Sequence, residues 1–294
     1  MNLASFASFA KINLGLLLLG KRIDGYHDIA TVFQQIDLCD KMLFRKTASS
    51  IRIISPDSSL PQDEQNLAYQ AFTCFQDRFR IQGGIEIHIR KAIPIGAGLG
   101  GGSSNAATTL LALNELWNTQ KSISDLEELA EEIGSDVPFF LRGGTALGLG
   151  RGEILESMEL PTGWWIVLVH PGIEVSTGWA YSRAKITLTN KEKLGKLRSI
   201  FRQFPSRTLK AHLENELEGV VFKRHPVLRD IKEQMYKREA FYASMSGSGS
   251  SVYGLFSHRK NAETAKTFFS MQPDLKAFLC RPIPSPPDRE HHLE

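Results

Sequence analysis

Apolar and polar positions alternate with period two over residues 85–90, where Ile85, Ile87 and Ile89 are separated by Glu86, His88 and Arg90. That period predicts a half-buried strand. Upstream, Leu67, Ala68, Ala71, Phe72, Phe75 and Phe79 recur at helical spacing, so residues 66–80 are expected to form an amphipathic helix. Long apolar runs predict strands over residues 4–19, 31–38 and 41–47. A small-residue, apolar stretch over 103–117 predicts a helix, and Ser124 with Glu127 reads as a capping box for another, closed by Gly134.

The second half is patterned differently. Residues 164–170 read as an apolar strand. Residues 181–238 read as helical and carry an excess of Lys and Arg over Asp and Glu. That excess could steer a polyanion, although ordinary solvated helix faces account for it better. Residues 241–245 and 251–256 predict two strands joined by a Ser/Gly turn, and 261–271 a further helix. Strands and helices that alternate without regular βαβ repeats predict an α+β chain. A boundary is expected near residue 155, giving domains of 1–155 and 156–294. Pro282, Pro284, Pro286 and Pro287 predict an extended tail, in which His291 and His292 read as incidental.

The chain has 294 residues, 42% of them apolar and 23% charged, with a formal net charge of +3. This excludes a disordered chain and argues against a dedicated nucleic-acid binder. Cys39, Cys74 and Cys280 form no CxxC pair and are odd in number, which fits core thiols in a reducing, cytoplasmic setting. The apolar run 12–19 resembles a signal-peptide core. Asn13 interrupts it, Lys21 and Arg22 follow, and no small-residue cleavage site appears, so it reads as a buried strand. No run approaches a membrane span.

Glycine clusters over 96–102, 143–152 and 247–254. The first reads Pro94-Ile-Gly-Ala-Gly-Leu-Gly-Gly-Gly-Ser-Ser-Asn105, with five glycines in nine residues between a predicted strand and a predicted helix. Backbone N–H groups can approach an anion there, and the helix N-terminus adds unpaired donors. Ser103 or Ser104 could reach a phosphate or Mg²⁺. Gly96, Gly98 and Gly101 satisfy G-x-G-x-x-G, a weak dinucleotide signal, because the acid expected at the end of a following strand is absent. Walker A also fails, since no Gly-Lys-Ser/Thr follows.

Taken singly, the remaining motifs are ambiguous. Lys11 and Asn13 share one face of the first strand, and a lone lysine there could snorkel. Asp24-Gly25 is a turn signal, and Tyr26 and His27 could cap a sheet edge. Asp136 precedes Pro138 and suits either a helix N-cap or a carboxylate that positions a hydroxyl. Ser246-Gly-Ser-Gly249 suits either a hairpin or an anion nest.

As a set, these segments resemble the GHMP kinase superfamily, which joins an N-terminal motif, a central glycine/serine loop and a C-terminal Ser/Gly motif. Ala10-Lys-Ile-Asn-Leu14, Asp24-Gly-Tyr-His27, Gly98-Leu-Gly-Gly-Gly-Ser-Ser-Asn-Ala-Ala107, Gly134-Ser-Asp-Val-Pro-Phe-Phe140, Gly143-Gly-Thr-Ala146 and Met245-Ser-Gly-Ser-Gly249 resemble its 4-diphosphocytidyl-2-C-methyl-D-erythritol kinase family. The resemblance spans residues 8 to about 256. Phe9, Ile23 and Ser251 depart from the family pattern without removing a reactive group.

The resemblance implies a two-domain GHMP kinase fold, with an N-terminal domain like ribosomal protein S5 domain 2 and a ferredoxin-like C-terminal domain. It implies transfer of the ATP γ-phosphoryl, with Mg²⁺, to the 2-hydroxyl of the cytidyl substrate in isoprenoid-precursor synthesis. Asp136 would take the hydroxyl proton and Lys11 would stabilise the alkoxide. Pro94, Gly96, Ala97, Gly98, Leu99, Gly100, Gly101, Gly102, Ser103 and Ser104 would wrap the ATP phosphates, with Asn66 and Lys91 flanking adenine. Gly247, Ser248, Gly249 and Ser250 would line the triphosphate cleft. Tyr26 and Tyr181 would stack on cytosine, with Trp179 a rival to Tyr181. His27 would read the base edge, and Asn13 and Thr177 would hold the erythritol hydroxyls. Another GHMP small-molecule kinase and an inactive nucleotide-binding regulator are the alternatives. Both Lys11 and Asp136 are present, which speaks against the second.

Overall fold

A computed structural model describes residues 2–184, 190–201, 204, 205 and 209–284. Its chain builds two sheets. The first opens with a long hairpin of β1 (Leu3–Lys21) and β2 (His27–Thr47), paired antiparallel along almost their whole length. The expected strands 31–38 and 41–47 are one strand, because Cys39 and Asp40 stay in register opposite Phe9 and Ser8. Shifts near Phe9/Ala10, Leu14/Leu16 and Leu18/Gly20 mark bulges, which twist and re-aim such strands.

β3 (Ile51–Ile54), β4 (Gly84–Arg90), β5 (Thr145–Leu149) and β6 (Ile154–Met158) complete the sheet in the order β3-β4-β2-β5-β6, with β1 on β2. Only β3 and β4 run parallel. The short β5 and β6 were not anticipated. The expected boundary near residue 155 falls inside β6, which pairs with β5; the chain passes between the sheets over residues 159–164.

Four helices belong to this half: α1 (Leu67–Phe79), α2 (Gly101–Leu116), α3 (Ile123–Ile133) and α4 (Val137–Arg142). The capping box of α3 is Ser122 with Asp125, two residues earlier than the expected Ser124 and Glu127. Ser122 has the extended backbone of a cap and bonds the Asp125 N–H. Phe33, Phe44, Phe72, Phe75, Leu110, Leu113, Leu126 and Phe139 pack into one core. Each such side chain contributes about 1.5–3 kcal/mol on burial.

The second sheet contains β7 (Trp165–His170), β8 (Tyr242–Met245), β9 (Val252–Phe256) and β10 (Lys276–Cys280) in the order β10-β7-β9-β8, all antiparallel. Helices α5 (Thr177–Arg183), α6 (Asn190–Phe201), α7 (Leu209–His212), α8 (Glu218–Arg224) and α9 (Pro226–Lys237) lie between β7 and β8, and α10 (Arg259–Ser270) lies between β9 and β10. The order is that of a ferredoxin-like βαββαβ unit with extra helices in its first crossover. The single helical tract expected over 181–238 is therefore several short helices, and part of it lies outside the described residues.

The halves share a core. Ile12, Leu14 and Val32 of the hairpin pack with Trp164 of the connecting segment and with Ile166, Tyr242, Tyr253 and Leu255 of the second sheet. Tyr253 donates its hydroxyl to Asn13 O at 2.7 Å. After β10 the chain lies along β2, with Ile283 N–H bonded to Gln35 O at 2.9 Å; His291 and His292 lie outside the described residues. Burial raises the thiol pKa of Cys39, Cys74 and Cys280. Among the described residues no helix is long and apolar enough to cross a membrane.

Candidate active site

A cavity of about 870 Å³ opens between the hairpin, the glycine loop and the second sheet. Lys11, Asn13, Tyr26, His27, Gly96, Gly98, Gly100, Ser103, Asp136, Thr177, Tyr181, Gly247, Ser248 and Gly249 line it.

At its floor the Lys11 ammonium lies 3.3 Å from Asp136 Oδ2. Lys11 also donates to Asn13 Oδ1 at 2.7 Å, and Asn13 Nδ2 donates to Thr31 Oγ1 at 2.9 Å. The Lys11 side chain is 5% exposed, so it does not snorkel; Asp136 is 32% exposed. Asp136 precedes α4 but makes no side-chain cap bond and has helical backbone angles. Its carboxylate is turned toward Lys11 instead. A lysine ammonium has three donors, and Asn13 and Asp136 engage two of them.

Three strands of chain converge on the glycine loop. Leu99 O accepts from Lys11 N–H, Ala97 O from Ser251 N–H, and Gly98 O from Ser246 Oγ. Gly98 sits at φ +77°, and a Cβ there would collide with Ser246 O and lie 2.9 Å from Gly249 O. The first and third glycine motifs are thus pressed backbone to backbone, which side chains would prevent. Gly100, at φ +68°, precedes α2, whose first-turn N–H groups start beside Ser103.

The two serines separate. Ser103 lines the cavity, whereas buried Ser104 accepts from Ser8 Oγ at 2.8 Å. Ser250 also points away. It is buried and bonds Ile173 O behind the loop. Pro94, Ala97, Leu99, Gly101 and Gly102 belong to the loop and helix start without lining the cavity. Asn66 caps α1, accepting from Ala68 N–H at 2.9 Å and donating to Pro61 O at 2.7 Å. Lys91 is held by buried Asp40 beneath Gly101 and also reaches Asn105 Oδ1 at 3.3 Å. Neither residue is among those lining the cavity, and each meets a local partner.

At the far end, the His27 and Tyr181 rings lie 5.5 Å apart, and Tyr26 stands 57% exposed. Trp179 does not line the cavity and carries the Arg224 guanidinium on its ring at 4.5 Å. Burial, reinforced by Lys21, lowers the His27 pKa, so its imidazole is neutral at neutral pH. Burial, and secondarily Asp136, raises the Tyr181 phenol. Asp24 shapes the turn: Arg22 bonds it at 3.0 Å and lowers its pKa, and its Oδ1 accepts Tyr26 N–H at 3.0 Å.

Three charged residues join the site beyond those the sequence indicates. Lys21 and Arg151 line the cavity, and Asp40 organises the glycine loop from below. Arg151 lies inside the second glycine cluster, which was the one available signal.

Among the described residues no group of three or more His, Cys, Asp or Glu could hold a metal ion. Mg²⁺ sites commonly use one or two protein oxygens plus substrate phosphates and water. The Ser103 hydroxyl, at the start of α2 and facing the cavity, fits that pattern.

Comparison with known proteins supplies the family frame. The GHMP kinases N terminal domain model matches residues 66–144, and the GHMP kinases C terminal model matches 192–271. A 4-diphosphocytidyl-2-C-methyl-D-erythritol kinase of Chlorobium phaeobacteroides (strain BS1) is 44% identical over 90% of this chain and 93% of its own. One of Bacillus cereus (strain B4264) is 42% identical over 85% and 86%. A crystal structure of 4-(cytidine 5'-diphospho)-2C-methyl-D-erythritol kinase superposes with a TM-score of 0.78 at 31% identity, covering 94% of this chain and 99% of the other. A homoserine kinase of Cytophaga hutchinsonii, at 19% identity and TM-score 0.72, shares the fold.

Proposed function

The chain belongs to the 4-diphosphocytidyl-2-C-methyl-D-erythritol kinase family of the GHMP kinases, and we propose that Lys11 and Asp136 move the γ-phosphoryl of ATP onto the 2-hydroxyl of that cytidyl substrate. The chain is a phosphotransferase with ATP as co-substrate. The observation that carries the residue assignment is the 3.3 Å Lys11–Asp136 pair at the floor of the cavity that the glycine loop lines.

Asp136 orients the acceptor hydroxyl and takes its proton. The third Lys11 donor stabilises the developing alkoxide and the transferring phosphoryl. Such transfers proceed through a loose transition state, so positioning and charge dominate. The N–H groups at the start of α2 and of the Gly247–Gly249 turn receive the phosphates. Mg²⁺, when bound, neutralises phosphate charge, and Ser103 is the residue that would hold it. Neutral His27 exchanges hydrogen bonds with the cytosine edge, Tyr26 and Tyr181 enclose its faces, and Asn13 and Thr177 hold the erythritol hydroxyls. Three cysteines that build no disulfide framework support a cytoplasmic setting.

The test is a panel of ATP acceptors: the cytidyl substrate, mevalonate, homoserine and galactose. The cytidyl compound is expected to turn over fastest by orders of magnitude. Faster turnover of any other acceptor would overturn the assignment.

A further inference from the structure

The turn between β5 and β6 holds Gly150, Arg151 and Gly152. Gly150 O accepts Ile29 N–H at 2.7 Å, two residues beyond His27. On the other side, a Cβ on Gly152 would lie 3.7 Å from Asp136 Oδ1 and 3.2 Å from Phe33 Cζ. Gly152 sits at φ +114° and Gly150 at φ +68°, backbone that L-residues avoid. The turn is thus moored at one end beside the aromatic pocket and at the other beside the reacting pair, and Arg151 stands between them on the cavity wall.

The head of Arg151 makes one loose ion pair and lies near the Asp24 carboxylate. Its guanidinium carbon lies 5.3 Å from the Tyr26 ring centre. Its Nε reaches Glu153 Oε1 only at 3.7 Å, while Glu153 Oε2 takes the Arg151 N–H at 2.6 Å. Lys21 lines the same cavity. Lys11 is already shared between Asp136 and Asn13. The proposed substrate carries a diphosphate between its cytidine and its methylerythritol, and that anion must span the gap between ring pocket and reacting pair.

We infer that Arg151 is a specificity-determining residue that binds the substrate diphosphate, with the Tyr26 ring as the shelf for its guanidinium. This rests on the cytidyl reading above. A planar fork on an aromatic face is preorganised for bidentate phosphate contact.

The experiment is calorimetric binding of CDP and of cytidine to the full chain, its ATP site filled with a non-hydrolysable analogue. Wild type, R151A and R151K are compared, and the KM values for ATP and the cytidyl substrate are measured alongside. Wild type should prefer CDP over cytidine. R151A should lose about 10- to 100-fold in CDP affinity, as a hydrogen bond to a charged group implies, with cytidine affinity nearly unchanged. The KM for the cytidyl substrate should rise in step, and that for ATP should not. R151K should recover part of the loss. Equal losses for cytidine and CDP would reduce Arg151 to a support for Tyr26 and overturn the inference. Unchanged CDP binding in R151A, with wild type preferring CDP, would overturn it alone. A wild type that binds neither probe would overturn the cytidyl reading together with it.

Discussion

Replacing Asp40 with Asn tests how the glycine loop is held. Asp40 is fully buried on β2. Its Oδ1 accepts Ala92 N–H at 2.8 Å and Ile93 N–H at 2.9 Å, immediately before the glycine loop. Its Oδ2 accepts Asn105 Nδ2, in the first turns of α2, at 3.0 Å, and pairs with Lys91. All four partners are donors. An Asn side chain brings an NH₂ group, and either orientation sets it against two of them. It also strips the buried Lys91 ammonium, 6% exposed, of its counter-charge. Breaking a buried pair in this way costs about 3–5 kcal/mol, a large share of the roughly 5–15 kcal/mol that stabilises a typical domain. Urea unfolding followed by tryptophan fluorescence should show the midpoint falling while the slope is kept. The KM for ATP should rise more than that for the acceptor. Lys91→Met alone should also destabilise, and D40N/K91M should lose less than the sum, with a coupling of about 1–3 kcal/mol. A D40N loss below about 1 kcal/mol, or strict additivity with K91M, would refute the account.

Gly98→Ala places a Cβ against Ser246 O and Gly249 O at a positive φ, so the two glycine-rich loops must part. ATP affinity should fall, and stability by about 1–3 kcal/mol, checked by nucleotide titration and thermal melts. Tyr26→Ala removes the ring proposed to cover one face of the cytosine. The KM for the cytidyl substrate should rise by an amount worth about 1–3 kcal/mol with the ATP KM unmoved; equal changes in both would exclude stacking. Burial lowers the pKa of both His27 and His170, each aided by a nearby lysine. In acid the unfolded chain then binds more protons than the folded one. Their contribution is present above about pH 6.5 and is lost as pH falls toward the folded-state values. A Tm–pH series should show that decline, and His170→Gln should shrink it.

The strongly periodic parts of the fold were readable from sequence: α1 from its apolar spacing, β4 from its alternation, and the strand–loop–helix frame of the glycine motif. What escaped was decided by distant partners. Asp40 looks like the polar end of a strand until Lys91, Asn105 and the 92–93 backbone converge on it, so local pattern alone divides β2 into two pieces. Strands β5 and β6 are short and bordered by glycines, and the pairing of β5 with the hairpin and of β6 with β5 supplies the order that local pattern lacks. The local partners of Asn66 and Lys91, a helix N-terminus and a buried carboxylate, are equally invisible in the sequence. Ser103 and Ser104 are adjacent in sequence but a helix turns them to different surroundings. Tyr181 and Trp179 face opposite sides of α5, as a two-residue offset on a helix requires, but only the packing of α5 decides that Tyr181 is the one on the cavity side. For Asp136, spacing allowed both a cap and a working carboxylate; the side chain makes no cap bond and meets Lys11.

The most direct test of the central claim is phosphoryl transfer by Asp136→Asn at saturating ATP and cytidyl substrate, with ATP affinity measured in parallel. Loss of a positioned proton acceptor should slow product formation by about 10²- to 10⁴-fold while nucleotide binding stays close to wild type. A rate that barely changes would show that the Lys11–Asp136 pair is only a structural contact and that the chemistry occurs elsewhere.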